Sequence, residues 1–111
     1  MDRGDLEMAA RLFGESSKLA PHFKTFELLG ECLIRLNRNA EAVAPLAAAV
    51  GLGTKPFRSL YLLAQALHGI GVNDWALGKL DEALDLNPNY NAARELRETI
   101  SALHPLQKSD D

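Results

Sequence analysis

Charge of one sign, aromatic mass, a second cysteine and long apolar runs are what this chain has little or none of. The formal net charge is only −3, which argues against the basic footprint that a nucleic-acid binder presents to phosphates. One cysteine, Cys32, excludes an internal disulfide, and a Cys–His nucleophile built on it would need a third orienting group that nothing in the sequence suggests. No apolar run approaches the roughly 20 residues of a membrane span. No basic segment followed by an apolar one opens the chain, so no signal peptide is visible and a cytoplasmic location is expected. His22, His68 and His104 are far apart and share no metal-ligand spacing with Cys32, so no metal and no cofactor are expected. Gly69 and Gly71 are not followed by Lys-Ser or Lys-Thr, which excludes a phosphate loop. What is left is 47% apolar and only 6% aromatic, rich in alanine and leucine. That composition suits closely packed helices in one small domain.

Leu60–Pro88 carries the clearest pattern. Leu60, Leu63, Ala64 and Leu67 recur at the spacing that lines one helix face. A break at Gly69–Asn73 follows, with Asn73 or Asp74 suited to cap a second helix on which Ala76, Leu80, Ala83 and Leu84 repeat the pattern. Pro88 stops it, because proline cannot continue a helix. The stretch predicts a helical hairpin.

Moved back by 34 positions, the hairpin falls on itself. Leu60, Leu63, Ala64 and Leu67 become Phe26, Leu29, Gly30 and Leu33; Ala76, Leu80, Ala83 and Leu84 become Ala42, Leu46, Ala49 and Val50. Large positions stay large and small positions stay small, the signature of a stacked repeat array. The small residues let helix backbones approach, while Leu46 and Leu80 fill the gaps between them.

These residues resemble the tetratricopeptide repeat family. Leu63-Ala64, Leu67, Gly71, Ala76, Leu80, Ala83-Leu84 and Pro88 all stand in its register. The earlier copy has Asn37 in place of the turn glycine, and both copies place Asn39 and Asn73 where an aromatic often begins the second helix. The departures are expected to weaken the local turns while leaving the interhelical core alone. The resemblance implies an all-α, right-handed superhelical array of antiparallel helix hairpins. It also implies a non-enzymatic protein–protein interaction scaffold with a concave peptide-binding groove. The alternative is an oligomerisation or spacer module whose groove holds no peptide.

Residues 4–21 read as the second half of a repeat, with Gly4, Leu6, Ala9, Phe13, Ser16 and Pro21 at the expected places and a spacing of 33 from Ala9 to Ala42. Residues 22–55 and 56–88 are the two repeats, 89–104 a capping helix and 105–111 an acidic tail, together one domain over 1–111. No first helix precedes Gly4, so the chain is expected to be a fragment of a longer array or to lack a cap supplied elsewhere. Pro45, inside the helix expected over Ala40–Val50, is expected to kink or loosen it. Gly51–Lys55 reads as the most flexible linker. A helix over Tyr90–Leu103 shows Ala93, Leu96, Ile100 and Leu103 on one face and Arg94, Glu95, Arg97 and Glu98 on the other.

The first helices of the hairpins present Lys24, Glu27, Glu31 and Arg35, then Arg58, Tyr61, Gln65 and His68, opposite the apolar face. All eight are expected to face solvent and to line the groove, with Arg58 and Tyr61 as anchors for a protein or peptide partner. One subgroup of the family clamps a terminal carboxylate with Lys and Asn at such places; Glu27, Glu31, Tyr61 and Gln65 occupy them here, so that clamp is absent. Cys32 is expected to be an inert apolar filler and Trp75 a packing residue. Leu6, Met8, Leu12 and Phe13 form a wide apolar surface on a short element, and a homodimer through them is expected.

Overall fold

The computed structural model describes residues 2–103. Among them are six helices and no strands: α1 Arg3–Leu19, α2 Phe23–Arg35, α3 Asn39–Leu52, α4 Phe57–Gly69, α5 Asn73–Leu86 and α6 Asn91–Leu103. Their order is the expected one. His104 and the 105–111 tail lie outside the described residues.

The two hairpin turns are alike despite their different residues. Asn37 and Gly71, 34 apart, both have positive φ, 61° and 84°. Arg38 N–H donates to the Leu33 carbonyl at 2.8 Å, and Val72 N–H to the Leu67 carbonyl at 2.9 Å. These are the same left-handed helix endings, and asparagine, whose short polar side chain tolerates that region, serves where glycine serves in the next copy. The expected weakening of the turn is thus not seen in its geometry.

Three boundaries differ from the sequence reading. Gly4 lies in the first turn of α1, where the Asp2 carboxylate accepts from Asp5 N–H at 3.0 Å. Neither Asn39 nor Asn73 caps its helix; the caps are Arg38 and Val72, without a side-chain bond to the helix N-terminus, and both asparagines are the first helical residues. Their side chains turn to tertiary contacts: Asn39 lies against Gly69, and Asn73 Oδ1 is 2.7 Å from His68 Nδ1. Finally, α3 runs unbroken through Pro45 and takes Gly51 and Leu52 from the expected linker. Burial of Ala42, Leu46 and Ala49 on both sides of Pro45 outweighs one missing hydrogen bond.

Each helix packs on the next in sequence, and α4 also meets α2 and α6. The molecule is accordingly elongated, 49 × 29 × 20 Å. At the α2–α3 contact, a Cβ on Gly30 would overlap the Leu46 side chain, so the approach requires a glycine there. Ala42, Leu46 and Ala49 on α3 and Ala76, Leu80 and Ala83 on α5 are all fully buried. Each buried leucine contributes roughly 1.5–3 kcal/mol. α4 is the hub: Ser59, Leu60, Leu62, Leu63, Ala64, Ala66 and Leu67 are buried by helices on four sides.

On α6 the register continues but the chemistry changes. Ala93 and Ile100 are buried. The places of Leu60, Leu63, Ala64 and Leu67 hold Arg94, Arg97, Glu98 and Ser101. Arg97 reaches back to Asp81 on α5 at 2.7 Å. Trp75, expected to pack, is 68% exposed. It shares with Met8 and Glu41, its counterparts on α1 and α3, the outward position of a second helix, and all three are exposed.

Candidate functional site

Of the eight residues expected to line a groove, Lys24, Glu27, Glu31, Arg35 and Arg58 join one another between α2 and α4, and not all of them face solvent. Glu27 is 3% exposed. Its carboxylate accepts from Ser59 Oγ at 2.7 Å and from Lys24 Nζ at 3.0 Å, and Arg58 Nη1 stands 3.3 Å away. The other guanidinium nitrogen, Nη2, lies 3.1 Å from Glu31, which Arg35 approaches from its far side at 3.7 Å. The result is a ladder of alternating sign: Lys24, Glu27, Arg58, Glu31, Arg35. Periodicity on α2 alone places Glu27 on the polar side. The adjacent α4 then closes over it, which a single-helix pattern does not register.

Electrostatics follow from this geometry. Burial opposes ionisation of Glu27, but the hydrogen bonds from Ser59 and Lys24 and the charges of Lys24 and Arg58 outweigh it and hold its carboxyl below the usual range. Partial burial works against the Arg58 cation too, yet its bond to Glu31 and the two carboxylate charges keep it more firmly protonated than usual. A buried ion pair of this kind is weak evidence of net stabilisation, but removing one partner leaves the other uncompensated. Arg58 is therefore a strut between two carboxylates, not a free anchor. Lys24 and Arg35, each with just over half its side chain exposed, end the ladder in solvent.

Beyond the ladder, Tyr61, Gln65 and His68 are half-buried along α4. Tyr90, just before α6, stands edge-on to Tyr61, with ring centroids 5.5 Å apart, and to Phe57 at 5.2 Å. Burial, the first cause, and the Tyr61, Glu27 and Glu31 neighbours push the Tyr90 hydroxyl up, against the charge of Arg58. Ser59 and Tyr90 are the members that sequence reasoning missed. The signal for Ser59 was a hydroxyl directly before Leu60, on the α4 stretch whose Leu60, Leu63, Ala64 and Leu67 form the apolar face.

Cys32 is buried and free, as expected, with its thiol pushed up by burial and by the Glu31 charge, against Arg35. No cluster of metal-ligating residues occurs among the described residues, and no described helix is long and apolar enough to cross a membrane. The four residues expected to self-associate divide. Leu6 is buried and Phe13 half-buried toward α2, whereas Met8 and Leu12 are exposed on α1.

No family model and no curated protein matches the chain. Among solved structures, the MamA RS-1 ArsTM double mutant is similar, with a TM-score of 0.72 and 25% identity over 96% of this chain and 70% of that one. MamA is a tetratricopeptide-repeat protein, and the chain has an all-α helical repeat fold of that type.

Proposed function

We propose that this chain is a protein-interaction module whose shared α2–α4 face receives an extended protein segment along Tyr61, Gln65 and His68. The observation that supports it is the tyrosine-edged surface beside a rigid charge ladder. Aromatic and polar groups are held in place on neighbouring helices before any partner arrives, so little conformational entropy is lost on binding. Lys24 and Arg35 add a cation at each end, suited to acidic side chains on the partner. The carboxylate clamp is not part of this reading, because Glu27 and Glu31 occupy its places.

One observation favours the spacer reading instead: Glu27, Arg58 and Glu31 satisfy one another and need no partner. Selection of binders from a random peptide library separates the two. On the interaction reading, selected peptides lose affinity for a Tyr61→Ala, Gln65→Ala variant whose circular dichroism stays helical. Binders that are all indifferent to those changes would leave the spacer.

A further inference from the structure

A second surface, on the α1 side of α2 and meeting the ladder at Glu31 and Arg35, is defined by what the repeat does twice and leaves undone once. In the hairpin α2–α3, α2 lies over the strip Ala42, Leu46, Ala49; in the hairpin α4–α5, α4 lies over Ala76, Leu80, Ala83. All six are fully buried. The same strip on α1 is Ala9, Phe13 and Ser16, of which the first two are half-buried and the third exposed. The neighbouring helix shows the same deficit: Leu28 is half-buried where its counterpart Leu62 is buried. Between the two helices runs an open groove of about 260 Å³, lined by Leu6, Ala9, Phe13, Leu28 and Cys32 and edged by Glu31 and Arg35. Its lining is mostly apolar, and no helix among the described residues covers it.

We infer that this groove is the seat for an amphipathic helix borne by a partner protein, and that α2 itself is the template of that helix. The groove stands in register with two interfaces already filled inside the chain, those over the α3 and α5 strips, so the geometry of its occupant is set by theirs. An occupant must carry large apolar residues where α2 has Phe26, Leu29 and Leu33. Opposite Phe13 it needs a glycine, because Gly30 faces the smaller Leu46 and has no room for a Cβ. Charge adds a second requirement. Ser59 and Arg58 hold Glu27; one repeat earlier their places are taken by Thr25 and Lys24. A glutamate three residues before the occupant's glycine meets that hydroxyl and shares with Glu27 the Lys24 ammonium. Neither end of a second copy supplies such a helix. The corresponding faces of α2 and α4 are used within the chain, and α6 offers Arg94, Arg97, Glu98 and Ser101 in their stead.

The test uses the intact chain and a synthetic peptide of Phe23–Arg35 sequence with Cys32→Ala, followed by calorimetry and amide chemical shifts. Binding is expected, with shifts concentrated at Ala9, Phe13, Ser16 and Leu28. The same peptide with Gly30→Leu should bind about tenfold more weakly or not at all, from overpacking against Phe13. This change leaves the protein untouched, so misfolding cannot explain its effect. Met8→Glu in the protein, outside the seat, should change nothing, and Ala9→Arg should abolish binding. Absence of binding, equal binding of the Gly30→Leu peptide, or shifts confined to α3–α5 would overturn the inference. So would a homodimer that Ala9→Arg dissolves, since the occupant would then be a second copy.

Discussion

The strips Ala9–Phe13–Ser16 on α1 and Ala76–Leu80–Ala83 on α5 hold the same register two repeats apart and have opposite fates. One is partly open, and the other is sealed under α4. The α6 end differs again, because polar residues replace the apolar face that a following helix would need. The contrast teaches that a repeat position is core only by virtue of a neighbour. An array must either supply that neighbour or change the residue. The α6 end changes the residue; at the α1 end Ala9 and Phe13 stay apolar and no described helix covers them fully.

The contrast is broken or sharpened most strongly by truncation. Leu80→Ala should cost about 2–5 kcal/mol, and Phe13→Ala, half-buried, roughly 1–2, as measured by urea unfolding. Equal losses would mean that α1 is as well covered as α5. Overpacking comes next. Ala76→Leu should cost about 1–3 kcal/mol, while Ala9→Leu should stay within about 0.5. Unchanged thermal unfolding of Ala76→Leu would remove the repeat register altogether.

Smaller effects come from the polar contacts. Ser59→Ala deprives the buried Glu27 of a donor and should cost about 1 kcal/mol, whereas Thr25→Ala, its half-buried counterpart one repeat earlier, should cost less than about 0.5. Glu27 also sets a pH signature. Its carboxyl is held below the ordinary glutamate value of about 4.3, so the unfolded chain takes up the proton first on acidification. Stability from the ladder is therefore full above about pH 5 and is lost as the pH falls through the depressed folded value. Glu27→Gln should flatten that part of the stability–pH curve; an unaltered curve would mean that other carboxylates dominate. The smallest stability change, with the clearest change of state, is expected from Arg94→Leu, Arg97→Leu, Glu98→Ala and Ser101→Leu combined. Stripped of its polar face, α6 should drive association visible by sedimentation, and a monomer would show that this end needs no charge.

How much of this could be read beforehand follows from which interactions are local. The six helices, the 34-residue register and the small and large roles of Gly30 and Leu46 are consequences of spacing along single helices, and they were legible; that these two meet each other was not. The ladder was half legible: its residues were singled out, but not the burial of Glu27, because that depends on α4 lying across α2. Trp75 misled because a large aromatic suggests packing, while its register partners Met8 and Glu41 mark an outward position. The apolar residues on α1 were recognised as a surface. Their division between a seat toward α2 and an exposed flank required the helix orientation.

The central place of α4, touched by α2, α3, α5 and α6, also orders events in time. Most interfaces here join helices adjacent in sequence, which favours rapid folding, and the helix shared by most of them is the natural site of nucleation. Loosening should then travel inward from α1, whose face is least covered. In native-state hydrogen exchange, amides of α1 should open first and those of Leu62–Leu67 last, the latter only with global unfolding.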